Sequence, residues 1–186
     1  MHFSGQGLIP VKVSNKLLSI YMIGGSLVLL SYSWGFIFYS GIISQLWGGI
    51  EGGFRGLYAF FMVLATIGFF MFAPYFVFHP LDTNANKLLV RLLLWSHYSF
   101  FIGSILWMPM TIMLITTGNI FFWVAVCGAL WIVAAASLGL VIVCYFYPES
   151  DRTIWKKLAF MGTFLLACQT VVLDAVIWVS RYPLSG

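Results

Sequence analysis

Charge is what this chain has least of. Of its 186 residues, five are Asp or Glu and nine are Lys or Arg. From Leu92 to Pro148 it runs 57 residues without any of the four. No polar stretch is long enough to fold as a water-soluble catalytic domain. Basic residues sit singly or in pairs near chain ends and loops, so the net charge of +4 carries no tract for nucleic acid. Cysteine is scarce as well. Cys127, Cys144 and Cys168 lie in apolar runs and form no C-x-x-C or His/Cys metal spacing. Packing is their expected role. Zinc-protease, histidine-box and G-x-S-x-G patterns are absent, and so is a paired acidic metal site. The Gly-rich stretch Gly48 to Gly56 lacks the GxxxxGK[ST] pattern of a phosphate loop.

What remains is hydrophobic. Apolar residues make 62% of the chain and mean hydropathy is +1.00. A bilayer core about 30 Å thick takes about 20 apolar residues per helix. Five such runs occur, at about 17–46, 57–78, 88–116, 120–147 and 158–180. The first is long enough for a span plus an interfacial extension. Continuous runs, rather than short alternating ones, exclude a β-barrel. Backbone polar groups must then be satisfied within each segment, which requires helices. The expected fold is one all-α domain, 1–186, a bundle of five transmembrane helices.

Turn chemistry separates the runs. Gly48-Gly49-Ile50-Glu51-Gly52-Gly53 reads as a loop with Glu51 and Arg55 at the water edge. His79-Pro80 stops the second run, and Asp82 or Asn84 can cap the third. Thr117-Gly118-Asn119 is short enough to force a tight antiparallel hairpin. Pro148 ends the fourth run, and Ser150 or Asp151 can cap the fifth. Basic residues near span ends then sort seven to two. Lys12, Lys16, Lys87, Arg91, Arg152, Lys156 and Lys157 fall on the N-terminal side, Arg55 and Arg181 on the other. Basic flanks stay inside, so the N-terminus is expected inside and the C-terminus outside. The expected location is a prokaryotic plasma membrane or a mitochondrial inner membrane. No basic n-region or A-x-A site precedes the first run, so no cleaved signal is expected.

Few residues can carry chemistry in such a chain. Asp174 alone puts a carboxyl well inside a span, about 9–10 Å from its outer end at 1.5 Å per residue. A charge near the bilayer centre costs about 2.5–3.5 kcal/mol, so it faces protein or water and finds a partner. On an α-helix Thr170, Trp178 and Arg181 share its face. Arg181, Gln169 or a neighbouring helix can hold the carboxyl, and a proton or ion site is the functional reading. His97 and His79 fall toward one leaflet from different helices. Two imidazoles so placed can ligate haem b, and one can hydrogen-bond a quinone. A hydrogen-bonded core His97 and an interfacial His79 are the plainer account. Met108, Met110 and Met113 offer soft thioethers, but no Cys or His accompanies them, and Met110 and Met113 are expected on one face. Small residues, Gly24-Gly25-Ser26 and Ala134 to Gly139, permit close helix approach.

Two likenesses touch this pattern. Phe72-Ala73-Pro74-Tyr75 through Phe78-His79-Pro80 resembles the G-P-Y…R-H-P stretch of isoprenylcysteine-type membrane methyltransferases, without its Gly and Arg. In length and five-span layout the chain is similar to the short form of haem-copper oxidase subunit III, without its His and Glu motifs. The functional expectation is a non-catalytic subunit of a larger membrane complex, acting in packing, assembly or lipid binding. Its partners would be the bilayer and other membrane subunits. A small proton-coupled transporter using Asp174 and a haem- or quinone-binding redox subunit are the alternatives.

Overall fold

A computed structural model describes residues 9–79, 87–147 and 153–183. Among them the chain is wholly helical, with no strand. Helix α1 covers Ile9–Phe38, and a 3₁₀ segment follows at Ser40–Trp47. Helices α2, α3 and α4 cover Gly52–Phe78, Lys87–Thr117 and Ile120–Phe146. The last passage is continuous but changes its winding. It begins as α5, Thr153–Ala167, widens into a π-helix at Cys168–Trp178 and closes as α6, Val179–Arg181. Five stretches are long and apolar enough to cross a membrane: Val13–Phe38, Gly52–Phe78, Lys87–Thr117, Ile120–Phe146 and Ile154–Arg181. This is a membrane protein by length and composition.

The first run divides, as a span with an extension should. Tyr39, at φ −126° and ψ 32°, leaves α-helical geometry, and the 3₁₀ segment returns across the end of the bundle. The glycine loop is shorter than expected, because Gly52 and Gly53 already belong to α2. Gly48 and Gly52 take the left-handed φ values of 56° and 59°. Between α3 and α4, Gly118 turns at φ 64°. Asn119 caps α4, its side chain accepting the Phe121 N–H at 2.9 Å. The resulting hairpin is the most extensive helix pair in the bundle. The expected caps Asp82, Asn84, Ser150 and Asp151 lie outside the described residues.

Side-chain bonds tie the ends together. At one end Ser14 Oγ donates to Val77 O at 2.7 Å, and the Tyr147 hydroxyl donates to His79 O. Lys156 Nζ reaches Tyr147 O at 2.6 Å. This is called the Lys16 end. At the other, the Trp178 end, Trp178 Nε1 donates to Leu46 O at 2.9 Å. The core divides accordingly. Leu17, Phe72, Phe76, Leu93 and Val143 fill the Lys16 half. Ile50, Tyr58, Val126, Leu173 and Trp178 fill the other, and Leu46 of the 3₁₀ segment packs with Met108 and Ile112. Helices α2 and α5 cross at Gly68 and Gly162, where a Cβ on either would strike the other's carbonyl. Met108 is buried beside Gly35, while Met113 is exposed.

Candidate intramembrane polar site

Asp174 lies on the π-helical stretch, and that winding sets its neighbours. A π-helix bonds i to i+5, so side chains five apart stack along one face. Gln169 is five residues before Asp174, and its Nε2 donates to Asp174 Oδ1 at 2.8 Å. The hydroxyl of Tyr58, on α2, donates to the same oxygen. Both donors are neutral. The expected α-helical face is rearranged by the wider turn. Thr170 instead shares a 2.6 Å bond with Ser137 on α4, and Trp178 bonds the Leu46 carbonyl. Arg181 does not descend to the carboxyl. Its guanidinium lies over the Phe54 ring, 4.9 Å from the centroid, a cation–π seat at the bundle edge.

Aromatic rings close the site toward the Trp178 end. Trp178 stacks on Trp123 at 6.1 Å and meets Trp107 edge-on at 6.3 Å. Tyr182 covers both, at 4.9 Å from Trp178 and 5.1 Å from Trp123, and this burial pushes its phenol pKa up. Trp47 packs edge-on to Tyr58 at 6.0 Å and carries Arg55 on its outer face at 5.0 Å. Tyr32, an electrostatic neighbour of Asp174, stacks on Trp107 at 5.8 Å. Two further polar atoms are buried here without a hydrogen-bond partner among the described residues: Gln169 Oε1 and Trp107 Nε1. Unsatisfied buried groups are costly and mark places where a polar ligand or water has something to gain.

His97 and His79 have separate surroundings among the described residues. His97 is 1% exposed. Its Nδ1 lies 2.7 Å from Leu93 O and its Nε2 lies 2.6 Å from the Tyr21 hydroxyl. A carbonyl can only accept, so Nδ1 carries the proton and Nε2 accepts from Tyr21. Neither nitrogen keeps a lone pair for iron in this arrangement. Tyr21, Phe76 and Phe72 enclose the ring at 5.1, 5.8 and 6.5 Å. His79 turns elsewhere, stacking on Tyr75 at 4.9 Å with Nδ1 donating to Tyr75 O at 3.2 Å. Among the described residues the two imidazoles share no hydrogen-bond partner. Among the described residues no group of three or more His, Cys, Asp or Glu is placed to hold a metal ion.

Sequence reasoning singled out Asp174, Gln169 and His97. It did not find Tyr58, Tyr21 or Trp107, which complete their surroundings. The available signal was slight: a tyrosine within an apolar run, on a different span from the ionisable residue. Comparison with known proteins returns no match to a family model, a curated protein or a solved structure.

Proposed function

We propose that this is a small membrane protein whose Asp174 carboxyl takes up and releases a proton, coupling its charge to the shape of the last helix. The observation that carries this is the Tyr58–Asp174–Gln169 arrangement. A carboxyl held by two neutral donors can change charge without breaking an ion pair. One held by Arg181 could not. The π winding supplies the mechanical side, since such stretches recur at functional sites. Returning it to α geometry moves Gln169 off the face of Asp174, because residues five apart diverge on an α-helix. Proton occupancy and helix winding thus bias each other, and a transporter of proton-coupled type would use that bias.

Infrared difference spectroscopy of the protein in lipid vesicles, stepped through pH, tests the reading. A carboxylic C=O band that titrates in the wild type and is missing in Asp174→Asn is the expected result. Its presence in both, or in neither, overturns the assignment.

A packing or assembly subunit is the second reading, and it draws on α1. That helix is the least enclosed of the five spans, with 17% of its apolar window buried against 33–56% for the others. Recovery of stoichiometric partner subunits after mild solubilisation supports it, and recovery of this chain alone in a folded state counts against it.

A further inference from the structure

The surface of the bundle carries two grooves of the same design. The first lies between α1 and α3 and measures about 480 Å³. Asn15, Lys16 and Ser19 stand at its mouth. Ile23, Leu27 and Ile102 form its walls, and the Phe101 ring, packed tightly on Gly24, closes its floor. Lys16, Ile20, Ile23 and Leu27 recur at i, i+4, i+7 and i+11, so charge and slot share one helix face. From Lys16 to Leu27 the slot descends about 16 Å at 1.5 Å per residue. The second groove lies between α4 and α5 and measures about 490 Å³. Lys156 and Lys157 head it, and Phe160, Met161 and Phe164 line its descent. Each slot begins at lysine at the Lys16 end and becomes apolar toward the middle of the span.

Charge decides what fits. Neither α1 nor α3 contains an acidic residue, and the chain has none before Glu51. At the same end of the same two helices stand Lys12, Lys87 and Arg91. Among the described residues Lys16 has no acidic partner, and it stands over an apolar channel. At the Trp178 end the basic residues are occupied, Arg55 over Trp47 and Arg181 over Phe54. A ligand matching this surface has an anionic head and a hydrocarbon tail at least as long as the slot. We infer that the α1–α3 groove is a seat for an anionic glycerophospholipid, its phosphate at Lys16, Asn15 and Ser19 and an acyl chain along Ile23 and Leu27. The α4–α5 groove has a similar layout with the exposed Lys157 at its head, Lys156 being bonded to the Tyr147 carbonyl. Basic pockets between spans on the cytoplasmic side bind such headgroups. The seat is independent of the Asp174 proposal, which concerns the other end of the bundle.

The test is native mass spectrometry of the full chain released from mixed micelles of phosphatidylglycerol and phosphatidylcholine. The wild type is expected to retain phosphatidylglycerol in preference. Lys16→Gln should weaken that preference about fivefold, the effect of one basic residue near a charged surface. Lys16→Arg should restore it, and Arg55→Gln should leave it unchanged. Ile23→Trp fills the slot without touching charge and should lower retention of both lipids at this seat. Unfolding temperatures in phosphatidylcholine micelles confirm that each variant is folded. Equal retention of the two lipids by the wild type overturns the inference. So does a Lys16→Gln protein with undiminished preference. Displacement of the lipid by soluble glycerol phosphate would show a headgroup site without a tail seat and overturns it too. Retention of a protein in place of lipid, lost in Lys16→Gln, would reassign the groove to a partner subunit.

Discussion

At Asp174 two donors converge on one oxygen, and the strength of that pairing is measurable. Hydrogen bonds between membrane helices average about 0.6 kcal/mol and reach about 1.7. Tyr58→Phe and Asp174→Asn are each expected to destabilise the folded protein in micelles. In a double-mutant cycle their effects should fall short of additive by about 1 kcal/mol. A cycle with Arg181→Gln in place of Tyr58→Phe should show no coupling, because Arg181 rests on Phe54. His97 offers a second check. Its ¹⁵N signals should report a neutral ring protonated at Nδ1, with Nε2 as acceptor. Tyr21→Phe, which leaves Nε2 buried and unpaired, should cost about 1–2 kcal/mol in chemical unfolding. The ionisable member of each pair was legible in the sequence, because an Asp or His within an apolar span stands out at once. The phenolic members were not. The chain holds nine tyrosines, and which of them faces inward depends on helix rotation, which a nearly uniform apolar run does not encode.

Apolar length and turn residues made the helices themselves readable, since lipid leaves the backbone no alternative. The Gly118–Asn119 turn was readable for the same local reason. The π stretch was not, because Cys168–Trp178 contains no Gly or Pro to announce a change of winding. Close approach was read only in part. Gly24 and Gly139 do pack tightly, against Phe101 and Ser96, but Gly25 faces open space. Backbone meets backbone at two isolated glycines, Gly68 and Gly162, which form no pattern within either run. Gly68→Ala would place a Cβ 2.6 Å from the Gly162 carbonyl oxygen, forcing α2 and α5 apart. Overpacking of this kind costs about 1–3 kcal/mol. Gly25→Ala meets no atom within 4 Å and should stay within about 0.5 kcal/mol of the wild type. Thermal unfolding of the two variants side by side provides the comparison.

Five passages through a bilayer leave the two termini on opposite sides, and charge selects which is which. Seven basic residues flank the spans on the N-terminal side and two on the other. The guanidinium groups of the pair, Arg55 and Arg181, are drawn against the Trp47 and Phe54 rings. Lys16 and Lys157 are exposed and stand at groove mouths. Retention of basic flanks on the inner side acts on such juxtamembrane residues, and an anionic lipid at Lys16 would add to it. The expected orientation is N-terminus inside and C-terminus outside. In a variant with Cys127, Cys144 and Cys168 changed to serine, a cysteine replacing Gly186 should react with a membrane-impermeant maleimide on intact cells. A cysteine replacing Ser4 should react only after permeabilisation. The reverse pattern would refute this sidedness. Neutralising Lys12, Lys16, Lys87 and Arg91 together removes four of the seven and should produce a mixed population, with both cysteines labelled in part.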